Sequence, residues 1–86
     1  MKTKAIDYII KTIERKADEV QFNIDENADY RKVCQIVTDF DYDGKVPTFK
    51  EKVFCANTLQ NLCSFFGLQY DVLLDKAIGE CIAPQA

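Results

Sequence analysis

The sequence contains no histidine, only three glycines and no long run of apolar residues. Without histidine, a serine or cysteine nucleophile lacks its usual general base. Three glycines are too few for a glycine-rich phosphate-binding loop. A chain of 86 residues also leaves little room for a deep substrate pocket. We therefore expect a protein that is not an enzyme and that needs no cofactor.

Closely spaced cysteine pairs are also missing. The four cysteines are Cys34, Cys55, Cys63 and Cys81, and none of them forms the CxxC pair that is typical of zinc sites. No signal peptide or membrane-spanning stretch is visible, so we expect a cytoplasmic protein without membrane contact, in which the cysteines remain thiols. The sequence predicts no metal ligands among them, and explains them best as small apolar core residues.

Basic residues are scarce in the last third of the chain. The sequence carries 11 basic and 14 acidic residues, a net charge of −3. Residues 57–86 hold one base, Lys76, against Asp71, Asp75 and Glu80. Nucleic-acid binding needs several lysines or arginines to neutralise phosphates, so this composition argues against nucleic acid as a partner. It suits a protein partner with a basic surface and leaves the oligomeric state open.

An amphipathic helix is predicted over residues 4–19. Apolar residues recur there at the i, i+3/i+4 and i+7 spacing of one helical face. They are Ile6, Ile9, Ile10, Ile13, Ala17 and Val20. Beyond this helix, Val20, Phe22 and Ile24 alternate with polar residues, which predicts a short half-buried strand.

A period of two from Tyr30 onward predicts further β-structure. One side of the alternation holds Cys34, Ile36, Thr38, Phe40 and Tyr42. Asp43-Gly44 is a strong signal for a two-residue hairpin, because a type I′ turn needs positive φ at both positions. The hairpin would join the second and third strands and bury Phe40 in the core. Pro47 would then lie in an edge strand or a bulge.

Two helices are predicted after the strands. The first begins at Asn57 and ends at Gly67, which can adopt the left-handed conformation, and the second covers about residues 69–80. The predicted fold class is α+β in a single domain of residues 1–86. It comprises an N-terminal helix, a three-stranded antiparallel meander and two C-terminal helices packed on one face of the sheet.

The predicted hairpin carries a row of carboxylates on its solvent side. Asp39, Asp41 and Asp43 would lie about 6.6 Å apart, close to the spacing of phosphates along one strand of duplex DNA. Such a row could enter a basic groove on a protein partner. We therefore predict a partner-binding site at Asp39, Asp41 and Asp43, with Tyr42 at its rim and Glu51 beside it.

A calcium loop is an alternative for residues 39–51. Asp39, Asp41, Asp43 and Gly44 fall at positions 1, 3, 5 and 6 of the EF-hand loop, so the segment resembles the first half of that motif. Its second half departs from the motif. Lys50 stands at position 12, where EF-hands have a bidentate carboxylate, and Glu51 follows one residue late. The resemblance implies a degenerate calcium-binding domain.

A DNA-binding regulator is a second alternative. Residues 59–78, "LQNLCSFFGLQYDVLLDKAI", resemble the helix-turn-helix of phage-repressor-type proteins in the spacing of Cys63, Gly67, Leu68 and Leu73. The resemblance covers about twenty residues and implies a recognition helix in the second half. That helix would carry Asp71 and Asp75 with Lys76 as its one base, a charge pattern that repels phosphates.

The preferred interpretation is a non-catalytic protein-binding module. In length, acidity and predicted order of elements the chain is similar to small phage-encoded inhibitors. These include anti-CRISPR proteins that occupy the nucleic-acid groove of Cas9-type effectors. The similarity implies an inhibitor that presents the acidic hairpin face to a basic partner groove.

Overall fold

Four α-helices and one short 3-10 helix make up the fold. The computed structural model describes the backbone of residues 3–82 and the side chains of residues 6–78. The elements are α1 (Thr3–Glu19), the 3-10 helix (Ile24–Glu26), α2 (Ala28–Asp43), α3 (Phe49–Phe65) and α4 (Tyr70–Ile82). Residues 3–82 contain no β-strand. The α+β prediction is therefore wrong, and the likeness to phage inhibitors, which depended on a meander, loses its basis.

Helix α1 forms where its apolar spacing predicts it. Ile9, Ile13 and Ala17 are almost completely buried along one face, while Lys11 and Arg15 are exposed on another. The Thr12 hydroxyl donates to the Tyr8 carbonyl oxygen one turn earlier, at 2.8 Å. The buried face packs chiefly against α4 and also meets α3.

Helix α2 replaces the predicted second strand. It begins after Asn27, whose side-chain oxygen accepts the Tyr30 backbone N–H at 2.8 Å as an N-cap. Its buried residues are Tyr30, Val33, Ile36 and Val37, which lie on one helical face. The hairpin is wrong because Asp43 is still helical and Gly44 alone is left-handed, with φ of 67°. Phe40, predicted to lie in the core, is only half-buried.

Helix α3 replaces the predicted third strand and begins at Phe49 rather than at Asn57. A capping box starts it. The Thr48 N–H donates to Glu51 Oε1 at 2.8 Å, and the Glu51 N–H donates to Thr48 Oγ1 at 3.1 Å. Pro47 precedes this cap and is buried outside any strand.

The core lies between α1, α3 and α4 on one side and between α2 and α3 on the other. Helix α4 forms where the sequence predicts it, and Ala77 is its fully buried residue among the described side chains. Helix α3 contributes Cys55, Leu59, Leu62 and Cys63 to this core and contacts α1, α2 and α4. The Lys32 ammonium of α2 lies 4.6 Å from the centroid of the Phe54 ring of α3. Helix α3 is thus the central element.

Left-handed residues end α1 and α3 in the same way. After α1, the Phe22 N–H donates to the Ala17 carbonyl at 2.8 Å and the Gln21 N–H donates to the Asp18 carbonyl at 3.1 Å. After α3, the Leu68 N–H donates to the Cys63 carbonyl at 2.7 Å and the Gly67 N–H donates to the Ser64 carbonyl at 3.2 Å. Both pairs form Schellman motifs. Gln21 occupies the position that usually belongs to glycine, with φ of 58°.

We expect Gln21→Gly to stabilise the protein by about 0.5–1 kcal/mol. A residue with a side chain costs about 1–2 kcal/mol in the left-handed region, and glycine removes this cost. Glycine also raises the conformational entropy of the unfolded chain, which offsets part of the stabilisation. The matched change is Gly67→Ala, where a Cβ meets no atom within 4 Å, so backbone strain alone should destabilise by about 1 kcal/mol. Urea unfolding of both variants measures the two signs; effects of the same sign would contradict this assignment.

Leu59→Ala should cost about 2–5 kcal/mol, because it opens a cavity at a fully buried position of the central helix. Phe40→Ala removes a larger but half-buried side chain and should cost only about 1–2 kcal/mol. Thermal and urea melts compare the two variants. A larger loss for Phe40→Ala than for Leu59→Ala would mean that α2 presents a different face to the core.

Candidate functional site

Three phenylalanine rings pack together where α1 and α3 end. The ring centroids of Phe22 and Phe65 are 5.2 Å apart, those of Phe22 and Phe66 are 5.5 Å apart, and those of Phe65 and Phe66 are 5.0 Å apart. Phe66 is buried, but Phe65 is 65% exposed and Phe22 is 38% exposed. We call Phe22, Phe65 and Phe66 the aromatic surface. It combines one buried ring, Phe66, with two rings that are exposed to solvent.

The two Schellman motifs place these rings. Phe22 is the residue that follows left-handed Gln21, and its backbone N–H is tied back to α1. Phe65 and Phe66 immediately precede left-handed Gly67. Adjacent residues at a helix end point about 100° apart, so when Phe66 turns into the core, Phe65 must turn outward. The pair Phe65-Phe66 before a glycine is the sequence signal for this surface, and it is not among the predicted site residues.

The chain around the aromatic surface is acidic. The segment 17–30, which contains Phe22, has five acidic residues and no base. These acids are Asp18, Glu19, Asp25, Glu26 and Asp29. The segment 53–75, which contains Phe65 and Phe66, has Asp71 and Asp75 and again no base. Apolar rings carried on acidic segments of the chain favour a ligand that is both apolar and cationic.

A buried tyrosine links α1 to α2. The Tyr30 hydroxyl donates a hydrogen bond to Glu14 Oε2, while the Tyr30 side chain is almost completely buried. Burial and this bond raise the pKa of Tyr30 well above its ordinary value of 10.0. The group therefore stays a neutral donor at physiological pH, and it contributes a fixed contact between two helices.

The cysteines show the character of core residues. Cys55 and Cys63 are buried and Cys34 is half-buried, as free thiols. Burial raises the pKa of each of these three thiols. A raised pKa keeps sulfur protonated and poorly nucleophilic. The prediction of apolar core thiols is thus confirmed for Cys55 and Cys63, whereas the Cys81 side chain lies outside the described residues.

The predicted row of carboxylates does not form. On α2, Asp39 and Asp43 are one turn apart, but Asp41 points to another side of the helix. Asp41 lies close enough to Asp7 of α1 that, after burial, its charge is the next cause that raises the pKa of Asp7. Asp39 accepts a hydrogen bond of 2.7 Å from the Gln35 amide. The three aspartates therefore have three different environments.

The other predicted contacts near this row are also separated. Tyr42 is exposed in the last turn of α2, as expected for a contact residue, but Glu51 is held by the capping box at the start of α3. A calcium loop would need Asp39, Asp41 and Asp43 in a loop, and all three are helical. Among the described side chains, no group of three carboxylates or thiols could hold a metal ion.

The helix-turn-helix alternative stays a prediction, although two helices and a glycine turn do lie in residues 59–78. Helices α3 and α4 are joined by residues 66–69, with Gly67 in the left-handed conformation. Asp71 and Asp75 are exposed on α4, as is Lys76. The Glu80 side chain lies outside the described residues. DNA binding by this pair of helices stays a prediction, and its charge pattern is unfavourable for phosphate contacts.

A surface depression along α1 has balanced charge. Its volume is about 480 Å³, and its lining residues are Tyr8, Lys11, Glu14, Arg15 and Asp18. Two cations and two carboxylates alternate there at helical spacing, as they do on a solvated helix face. We assign no ligand to this depression.

Comparisons with known proteins show that the chain matches no protein-family model, no curated protein and no solved structure. Within residues 3–82, none of the helices combines the length and the apolar character that crossing a bilayer requires.

We expect the free energy of unfolding to fall as the pH rises above about 9. Tyr30, Tyr70 and the three described thiols have folded pKa values above their ordinary values of 10.0 and 9.0. The stability that these groups contribute is complete below the unfolded pKa and is lost as the pH rises from there through the folded pKa, because unfolding then releases protons. Urea unfolding from pH 7 to pH 11 with a thiol reductant measures this loss.

The variant Tyr30→Phe separates the tyrosine from the thiols. It should destabilise by about 1–2 kcal/mol at pH 7 through the lost hydrogen bond, and should show a shallower decline above pH 10. Equal slopes for Tyr30→Phe and the wild-type protein above that pH would contradict a raised Tyr30 pKa.

Proposed function

We propose that the protein is a non-catalytic binding module that holds a basic, amphipathic segment of a partner protein on its aromatic surface. The observation that carries this proposal is the packing of Phe22, Phe65 and Phe66 into one cluster, two of whose rings are exposed. The partner class, a protein with a basic surface, is the one that the net negative charge of the chain favours. The contact residues differ from those predicted on the hairpin.

The energetics of exposed rings support this role. Isolated surface phenylalanines are common, but clustered aromatic side chains are enriched at the centres of protein interfaces. Burying one phenylalanine contributes about 1.5–3 kcal/mol, and rings that are already packed on a buried neighbour lose little side-chain entropy on binding. The cluster is thus a preorganised contact for an apolar side chain of the partner.

The charges support a cationic partner segment. A lysine or arginine beside the apolar contact could approach the exposed face of Phe65, and the carboxylates of segment 17–30 would attract it. Such attraction accelerates association and weakens as salt is added. Nucleic acid fits the same surface poorly, because its phosphates would meet carboxylates.

The proposal includes a non-catalytic role and a cytoplasmic location. The absence of histidine from the sequence supports a non-catalytic role, and the free thiols of Cys34, Cys55 and Cys63, which form no disulfide, support a reducing, cytoplasmic location.

A synthetic helical peptide tests the proposal. The probe is an 18-residue peptide of leucine and lysine with the leucines on one helical face, titrated into the isotopically labelled protein. We expect amide shifts in residues 18–23 and 63–67, and weaker binding at high salt. Phe65→Ser should weaken binding at least about tenfold, which corresponds to about 1.4 kcal/mol.

Two controls make the titration decisive. A peptide in which glutamate replaces lysine should not bind, because carboxylates would meet carboxylates. Val72→Ser changes an exposed apolar residue of α4 outside the aromatic surface and should bind the lysine peptide as the wild-type protein does. Undiminished binding by Phe65→Ser, or equal binding of the two peptides, would refute the proposal.

A further inference from the structure

A polar depression lies where α3 ends and α4 begins. Its volume is about 270 Å³. Residues of α3, of the connecting turn and of the first turn of α4 line it, and they are Gln60, Ser64, Leu68, Gln69, Tyr70 and Asp71. We call this site the polar depression. Pockets for drug-sized ligands measure about 300–1,000 Å³, so the polar depression suits one long side chain better than a whole small molecule.

The turn that ends α3 joins the polar depression to the aromatic surface. Ser64 lines the depression and directly precedes Phe65 in the last turn of α3. The Ser64 carbonyl oxygen accepts the Gly67 N–H at 3.2 Å, and Leu68, the residue after this glycine, lines the depression again. On a helical partner, residues one turn apart are separated by about 5–6 Å. A partner that places an apolar residue on Phe65 therefore brings a residue one turn away to the polar depression.

All the polar side chains that line this depression can accept a hydrogen bond. Two amides, two hydroxyls and one carboxylate are present, from Gln60, Gln69, Ser64, Tyr70 and Asp71. Among the described side chains that line it, Asp71 carries the one charge. Burial, and then the charges of Cys63 and Asp71, raise the pKa of Tyr70, so its hydroxyl stays neutral at physiological pH.

These acceptors favour a cationic group that only donates hydrogen bonds. A phosphate or a carboxylate would meet the Asp71 carboxylate, whereas a guanidinium carries positive charge, five N–H donors and no acceptor. The ammonium of lysine is a compact point charge with three donors, and it reaches fewer acceptors when these are spread over two helices. The apolar stem of an arginine can lie on half-buried Leu68.

We propose that the polar depression binds one arginine side chain of the partner, next to the apolar residue that the aromatic surface holds. Asp71 is the residue that selects arginine, because a charge-assisted hydrogen bond to a carboxylate is stronger than one to a neutral oxygen. This inference rests on the proposed function, and it adds the identity and the position of the partner's basic residue.

Two matched peptides test the selection of arginine. Both are 18-residue helices of leucine and glutamine with the leucines on one face. One carries a single arginine one turn from a central leucine, and the other carries citrulline there, which has a similar shape without the charge. We expect the wild-type protein to bind the arginine peptide at least about fivefold more tightly. In the isotopically labelled protein, this peptide should shift the side-chain amide signals of Gln60 and Gln69.

Two aspartate variants locate the charge that is responsible. Asp71→Asn should bring the ratio of the two affinities close to one. Asp75→Asn removes the same charge from an exposed position one turn further along α4, outside the polar depression, and should keep the wild-type ratio. Because each ratio is measured within one variant, a general loss of affinity or stability cancels.

The outcomes separate this inference from the proposed function. If both peptides bind the wild-type protein equally and Phe65→Ser weakens both, the aromatic surface is a binding site and the selection of arginine is refuted. An arginine preference that survives Asp71→Asn, or that Asp75→Asn abolishes equally, also refutes it. If neither peptide binds the wild-type protein, the proposed function and this inference are both refuted.

Discussion

The fold depends on three chain reversals, each made by one residue in the left-handed conformation. Gln21, Gly44 and Gly67 follow α1, α2 and α3, with φ of 58°, 67° and 74°. Each closes the end of its helix by donating its N–H to a carbonyl of the last turn. These reversals bring α1 back onto α4 and α2 onto α3, which is what buries the apolar face of every helix.

The exposed aromatic residues lie beside these same reversals. Phe22 follows Gln21, Phe65 is two residues before Gly67, and Tyr42 is two residues before Gly44. An amphipathic helix buries one stripe of side chains. At its last turn this stripe ends and the chain changes direction. Apolar residues placed there are held firmly by the caps but are not covered by a neighbouring helix. The candidate contact surfaces are thus a consequence of where the helices stop.

Sequence periodicity was sufficient for α1 and α4 and insufficient for the middle of the chain. Helix α1 contains five of the six apolar residues predicted at helical spacing, and no alternation competes within it. In α2, Ile36 and Phe40 satisfy both templates, because they belong to the alternating set and also to the helical set with Val33 and Val37. The decisive local signals were the Asn27 cap before α2 and the Thr48–Glu51 capping box before α3. Asp43-Gly44 fits a hairpin and a helix end equally well, because both use a left-handed glycine.

The candidate site was less predictable than the fold. The predicted row of aspartates required a strand, and its charges disperse once residues 39–43 are helical. Among the predicted contact residues, Asp41, Tyr42 and Asp43 are exposed, with Tyr42 at 85%, since exposure at the end of α2 does not depend on strand register. Phe22 and Phe65 are 43 positions apart in the chain, and only the packing of α1 against α3 brings their rings to 5.2 Å. No local pattern encodes that contact.

Residue-by-residue ¹³Cα secondary chemical shifts test the helical account most directly, because they report φ and ψ along the whole chain. The account predicts helical shifts that run unbroken through 28–43 and 49–65, with an interruption only at residues 44–48. Strand-type shifts on both sides of Gly44, as a hairpin at 43–44 would give, would contradict the fold and the aromatic surface that depends on it.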